Sequence, residues 1–407
     1  MVAFYVPPFK GSSGLQRTLR FAQYLPESGW TPLLLAPHPR AYSSSTCDSL
    51  AEIPPSLSVR RAFALDTARH LAIRGAYPGW LALPDRFNTW LLGAVPAGLS
   101  LIRKHRPKAI WTTYPVATAH LIGYVLHKLS GLPWVADFRD PMLYEAWPED
   151  PLERRAHRWV EGLALRNASK VVCVTPSATA LYRERCGERH ASKVVLISNG
   201  YDERSFEGIA RAARPIIRRK LLHSGLLEPA DRDPTAFFQA LQALKRDGSI
   251  AADNTEVVLR GSGFDERYRA QVEAFGLTDI VALEPVVPYR AALQEMVDAD
   301  GLLLFQGPTC NRQVPAKAYE YIRAGTPILS ISDEAGDTAK LMAEVPQCSA
   351  AGFGDPQRIT AALRAFLTAR QACGWGGLAP NVAQKYERRA LTRDLARLLD
   401  ELENPAH

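Results

Sequence analysis

Lys317 and Glu320 stand three residues apart in the stretch 314–329, V-P-A-K-A-Y-E-Y-I-R-A-G-T-P-I-L. On a helix that spacing puts both on one face. A lysine ammonium binds phosphate charge, and a neighbouring carboxylate accepts two ribose hydroxyls, which together is what a nucleotide sugar requires. The flanking residues supply the helix. Pro315 suits its first position, Gly325 its left-handed cap, and Pro327 its stop. Residues 302–305 read as a buried strand before it and 328–331 as the next strand. The helix N-terminus then faces the strand–helix loop, where its free N–H groups and dipole favour an anion. The same spacing also fits an exposed Lys–Glu pair on a surface helix.

Other groups with chemical potential follow apolar runs in the same way. Gly11-Ser12-Ser13-Gly14 lies between a strand and a helix, so Gly11 and Gly14 allow close backbone approach to a phosphate or sugar, or simply a tight turn. It is not the G-x-G-x-x-G of a dinucleotide site. Arg260-Gly261-Ser262-Gly263 and His223-Ser224-Gly225 also end strands, with Gly225 and Gly263 open to a ligand or to a plain turn. In Asp231-Arg232-Asp233-Pro234, Asp233 reads as a helix cap that leaves Arg232 for a diphosphate, rather than as part of a metal-binding D-x-D. Asp137-Phe138-Arg139-Asp140 is either a structural Arg–Asp pair or a site at a strand end. Asn199-Gly200 reads as a turn. The aromatic and leucine-rich stretch 80–103 fits an interfacial helix or a core-packed one.

These residues need a scaffold of alternating elements. The first half predicts strands over 3–6, 32–36, 109–112, 133–137, 170–175 and 194–197, with helices over 16–25, 89–105, 118–129 and 153–168. The second predicts strands over 220–223, 256–260, 280–283, 301–305 and 328–331, with helices over 234–246, 265–275 and 289–298. A long amphipathic helix closes the chain over 381–402. The pattern is that of two doubly wound α/β units joined near 206–219, each with its ligand loops at the carboxyl ends of its strands.

The 407 residues, 47% apolar and 22% charged, suit a globular enzyme of one large or two mid-sized domains. A net charge of +7 favours anionic partners such as nucleotide diphosphates or anionic headgroups. The basic residues lack the dense, aromatic-interleaved run expected for nucleic acid, and the densest cluster, Arg214, Arg218, Arg219 and Lys220, reads as an interdomain linker. The six cysteines form no C-x-x-C pair, so neither zinc nor a disulfide framework is expected. No membrane span or secretory segment is read, so a cytoplasmic location is expected.

In order along the chain, these pieces resemble family 4 (GT4-like) glycosyltransferases of the GT-B fold. Residues 7–17 resemble that family's P-P-x-x-G-G-x-G-x-x-R opening, 25–30 its Y-L-x-x-x-G-W/H element, and 198–206 its P/S-N-G-x-D-x-x-x-F motif. Residues 314–327 resemble its P-x-K-x-x-E-Y-x-A-x-G-x-P motif, and the block 112–141 resembles the exopolysaccharide- and exosortase-associated branch. The resemblance implies two Rossmann-like domains facing across a cleft. An acceptor domain would span 1–210, with a final helix 384–407 packing back on it, and a donor domain 211–383. It implies a retaining transfer from a nucleotide sugar to a saccharide or lipid-linked acceptor, with no metal and no further cofactor. Lys317 and Arg232 would hold the diphosphate and Glu320 the ribose. Gly11, Gly14, Asn199, Gly225 and Gly263 would line the donor site. The family's first glutamate falls at Arg312, and its central histidine at the segment that offers Asp140 or Arg139 as the residue near the reacting carbon. Peripheral contact with the anionic inner face of the cell membrane would fit the charge. The rival readings are a nucleotide-sugar-binding subunit without transfer activity and a nucleotide-sugar 2-epimerase.

Overall fold

Parallel strands linked by helices make up both halves of the computed structural model, which describes residues 1–10, 13–144, 147–212, 217–346, 348–373 and 380–403. The chain forms two compact units, Met1–Ser198 with Arg388–His407, and Asn199–Glu387.

The first unit contains β1 (Leu33–Pro37), β2 (Ser58–Ala62), β3 (Ile110–Thr113), β4 (Trp134–Phe138), β5 (Lys170–Cys173) and β6 (Val194–Leu196). β1 pairs with β2, and β3 to β6 pair in sequence order, all parallel. Val2 joins the two ladders by bridging Leu35 and Thr112. The strand expected over 3–6 therefore lies nearer the N-terminus. Past it the chain reaches Pro7 and Pro8, which have no N–H to offer a ladder. β2 escapes sequence reading because S-V-R-R-A is a half-exposed edge strand, not an apolar run.

The second unit contains β7 (Arg219–Ser224), β8 (Thr255–Arg260), β9 (Val281–Glu284), β10 (Gly301–Gln306), β11 (Ile328–Ser332) and β12 (Cys348–Gly352). They form one parallel sheet in the order β12-β11-β10-β7-β8-β9. β12, C-S-A-A-G, is too weakly apolar to read as a strand and pairs only at the sheet edge.

Side chains alternate between the two faces of each sheet, and helices cover both. Trp134, Ala136 and Phe138 of β4 join one core, while Val135 joins the other. Leu303 and Phe305 of β10 enter one core of the second unit, and Leu302 and Leu304 the other. The helix Trp90–His105 buries Trp90, Ala94 and Gly98, so the leucine-rich stretch is mainly core-packed, although Leu92 remains 72% exposed.

Two boundaries differ from expectation. The first crossover falls between Ser198 and Asn199, not near 210, because Tyr201 and Phe206 are buried in the second unit's core. Glu203 also pairs with Arg323 there. The linker expected over 206–219 thus belongs to that unit; its Arg214 lies outside the described residues. The terminal helix is not continuous over 381–402. It divides into Pro380–Gln384 and Arg388–Glu403. The break lets the Tyr386 carbonyl accept from the Tyr201 N–H at 3.1 Å, while the Tyr386 ring packs on Tyr319. The later helix packs in the first unit, where Arg389 pairs with Glu27 and Asp400 accepts from the Trp30 indole.

Candidate functional site

In the second unit the chain leaves β7 toward β8 on one side and returns to β10 on the other. Strand order therefore reverses between β7 and β10, and a crevice at their carboxyl ends is where an open α/β sheet binds ligands. His223 lies at the end of β7 with Gly225 just past it, and the helix Ala316–Ala324 follows β10.

Lys317 reaches into this crevice. Its Nζ lies 3.0 Å from His223 Nε2, and a Cβ on Gly225 would stand 3.0 Å from that Nζ. Gly225 has φ 107°, a backbone conformation that an L side chain strains to adopt. His223 Nδ1 lies 2.8 Å from the Leu303 carbonyl. Its Nε2 lies 3.0 Å from the Gly225 carbonyl, so each ring nitrogen faces a carbonyl, and Lys317 approaches on the Nε2 side. Burial, then Lys317, hold the imidazole well below its usual pKa, so it stays neutral. Burial, then Arg232, lower Lys317 to about 7, while Glu320 acts in the opposite direction. Two cations and a neutral histidine thus share one low-dielectric corner, an arrangement completed by an added anion.

Arg232 is positioned by its Nε–H, which donates to Gln306 Oε1 at 3.0 Å. Pro234, not Asp233, is the N-cap of the helix Thr235–Arg246, while Asp233 Oδ1, one residue earlier, accepts from the Thr235 N–H at 2.8 Å. Pro315 is the N-cap of the Lys317 helix, one residue outside the position expected for it, and Gly325 caps its other end at φ 72°. Glu320 Oε1 accepts from the Tyr289 hydroxyl at 2.8 Å. Lys317 and Glu320 therefore have specific partners and are not a free surface pair. Gly263 has φ 80° beside Leu226. Leu226, Val286 and Tyr289 are exposed apolar groups beyond the ends of β7 and β9. Sequence reading missed His223, Gln306 and Tyr289 because each ends a strand or opens a helix without a motif of its own. Position at a strand end was the available signal for the first two. Arg312 is exposed.

Asn199 opens the second unit at the crossover from the first, half-buried, immediately before the buried Gly200 and Tyr201.

The remaining candidates lie in the first unit. Its strand order reverses between the Val2 segment and β3, so its own carboxyl-end crevice lies beside the loop after Val2. Asp137 is structural. Its carboxylate accepts from Arg17 at 3.0 and 2.8 Å and from Thr113 Oγ1 at 2.9 Å. Arg17 also donates to the Ile197 and Ser198 carbonyls. This buried cluster pins the helix Ser13–Tyr24 to the ends of β4 and β6. Arg139 differs. It is 8% exposed, and among the described residues its guanidinium has no hydrogen bond or ion pair within reach. It packs against Gly14, where a Cβ would fall 2.0 Å from its Nη1. Burial lowers its pKa, with Asp140 and Asp137 opposing the shift. Asp140 is half-buried beside it. Arg139 and Gly14 are thus brought together, whereas Gly11 lies outside the described residues.

Among the described residues no helix is long and apolar enough to cross a membrane.

Residues 14–200 match the model of the glycosyl transferase 4-like domain. A comparison with curated proteins finds no match. Among solved structures, sucrose-phosphate synthase from Thermosynechococcus elongatus aligns at TM-score 0.71 and 14% identity, over 100% of this chain and 99% of that one. WaaG, a glycosyltransferase involved in lipopolysaccharide biosynthesis, aligns at 0.61 and 14%, over 98% and 99%. A putative UDP-N-acetylglucosamine 2-epimerase from Listeria monocytogenes aligns at 0.61 and 9%, over 100% and 97%. At such identities the likeness concerns the fold, which is GT-B, with two Rossmann-like units.

Proposed function

With a glycosyl transferase 4-like domain in its first half as the premise, we propose that this chain is a retaining glycosyltransferase. It moves a sugar from a nucleotide-sugar donor to a saccharide or lipid-linked acceptor in cell-surface glycan synthesis, at the cytoplasmic face of the membrane. The observation that carries the reading is the Lys317 ammonium, held 3.0 Å from a neutral His223 at the reversal point of the second sheet.

The donor diphosphate sits at that point. As the bond from the anomeric carbon to the diphosphate oxygen breaks, negative charge grows on the leaving group. Lys317, Arg232 and the first turn of the helix Ala316–Ala324 are fixed beforehand toward that charge. Glu320, held by Tyr289, accepts the ribose hydroxyls. Gly225 and Gly263 let the backbone close on the nucleotide without a side chain intervening. The acceptor hydroxyl forms the new bond to the anomeric carbon, and its proton passes to the departing phosphate, as the resemblance implies for retention. Asp231 and Asp233 are engaged by Thr309 and Thr235, which suits a diphosphate held by cationic side chains. In the first unit, Arg139 and Asp140 remain the residues that the resemblance offers near the reacting carbon.

Donor epimerisation is the second reading, favoured by the likeness to the Listeria protein. One assay separates them. A panel of nucleotide sugars is incubated with and without saccharide and lipid-linked acceptors, and the products are identified. Transfer predicts acceptor-dependent release of a nucleoside diphosphate and a glycoside with the donor's anomeric configuration. An epimerised donor formed without acceptor supports the second reading, and an inverted linkage overturns retention.

A further inference from the structure

Arg139 and Asp140 follow the last residue of β4, where the β4–β5 ladder ends at Phe138 and Cys173. The peptide groups beyond that point need partners other than a neighbouring strand. Two helices of the first unit supply them. Tyr182 and Arg185 stand three residues apart on the helix Pro176–Cys186, hence on one face. Glu161 comes from the helix Pro151–Asn167 and is buried.

These three side chains close a loop of hydrogen bonds on two consecutive residues. The Met142 N–H donates to the Tyr182 hydroxyl at 2.9 Å, and that hydroxyl donates to Glu161 Oε2 at 3.0 Å. Arg185 Nη1 donates to both Glu161 oxygens at 2.9 Å, and its Nη2 donates to the Leu143 carbonyl at 2.9 Å. Burial, then Glu161, push the Tyr182 phenol well above its usual range, so it keeps the proton it donates. On the other side of Arg139, the Tyr182 ring packs on Phe138 with 4.7 Å between ring centroids. One cluster therefore grips the chain before Arg139, at Phe138, and after Asp140, at Met142 and Leu143.

Anchoring alone does not call for such a cluster, because Met142 and Leu143 already lie in the apolar core. A buried ion pair adds little net stability over apolar packing, since desolvation offsets its Coulomb gain. What the hydrogen bonds add is direction. They set the orientation of the peptide groups at 142 and 143, and so the course of the short segment 139–141 between them and β4.

We propose that Tyr182, together with Glu161 and Arg185, is a positioning residue for sugar transfer, which holds the segment carrying Arg139 and Asp140 in register with the reacting carbon. The proposal rests on the reading of the chain as a glycosyltransferase. Tyr182 itself touches no substrate; it acts through the backbone of Met142.

Tyr182→Phe keeps the ring and removes the hydroxyl. In the full chain, well below its melt, the expected result is a kcat lowered at least about tenfold with the KM of the nucleotide sugar unchanged, as for a misplaced reacting geometry. In the slow background Arg139→Gln/Asp140→Asn, adding Tyr182→Phe costs no further rate, because the residues it acts through are gone. A role in stability alone lowers the melt and leaves kcat of the folded protein intact. Full kcat in Tyr182→Phe, or an undiminished further loss in that background, overturns the proposal while the glycosyltransferase reading stands. A wild-type rate in the background variant overturns it by removing Arg139 and Asp140 from the reaction. If the wild type transfers no sugar, that reading fails, and hydrogen exchange still decides the clamp. Tyr182→Phe speeds exchange over 139–144 and leaves the helix Ser13–Tyr24 unchanged; equal exchange over 139–144 overturns the clamp. Should Tyr182→Phe not fold, Arg185→Lys takes its place, since it keeps a charge for Glu161 without the planar fork that reaches the Leu143 carbonyl.

Discussion

Lys317 owes its chemistry to its surroundings. Its pKa of about 7 lies below the ordinary 10.5 because burial and Arg232 disfavour the ammonium. The charged form is therefore complete well below that value and lost as pH rises through it, whereas an exposed lysine stays charged up to about 10. A bound diphosphate favours the ammonium, so binding takes up a proton. Pyrophosphate affinity is expected to rise as pH falls from about 8.5 to about 6, and to lose most of that dependence in Lys317→Arg, because arginine stays charged throughout. Titration calorimetry in buffers of different ionisation enthalpy measures both affinity and proton uptake. A flat profile in the wild type would count against Lys317 as the phosphate ligand. The pairing of Lys317 with Glu320 on one helix face was legible from spacing alone. Their partners were not, because His223 and Tyr289 come from distant segments that only the sheet order brings beside them. Asp137 and Arg139 show the same limit. Two residues apart at the end of one strand, they read as one charged cluster. Yet Asp137 points to Arg17, while Arg139 packs against Gly14, so one is a brace and the other a candidate contact.

The elements that hold these residues were readable where their apolar runs were long. β10, L-L-L-F after a glycine, is wholly buried and unmistakable. The edge strands β2 and β12 were not readable, since an edge needs neither continuous apolar faces nor strict alternation. The break in the terminal helix also escaped periodicity, because residues 385–387 continue a helical composition and are drawn out of it by the tertiary bond to Tyr201. The brace between the helix Ser13–Tyr24 and β4 makes a direct test of element-level stability. Asp137→Ala would leave the Arg17 guanidinium, 1% exposed, without its bidentate partner. Loss of one half of a buried pair costs about 3–5 kcal/mol, so the urea midpoint should fall accordingly. Asp137→Asn, which keeps the shape and one acceptor, should cost less. An unchanged midpoint in Asp137→Ala would show that the pair does not hold this helix.

At the scale of the whole molecule, the two-unit α/β organisation was legible because the strand–helix alternation restarts after the sixth strand. The crossover residue was not, since the turn at Asn199-Gly200 looks like any other. Only burial of Tyr201 and Phe206 assigns that turn and its sequel to the second unit. The chain then returns to the first unit at Arg388, so the first unit is completed by sequence from both sides of the second. The donor-binding machinery proposed here, Lys317, Arg232 and Glu320 with their partners His223, Gln306 and Tyr289, lies within the second unit. The most direct test is the turnover of Lys317→Ala against the wild type, with the best nucleotide sugar and acceptor, alongside a thermal melt of both. The account predicts an unchanged melt with transfer reduced about a hundredfold or more, as for loss of one preorganised charge donor. Wild-type turnover in a folded Lys317→Ala protein would contradict it.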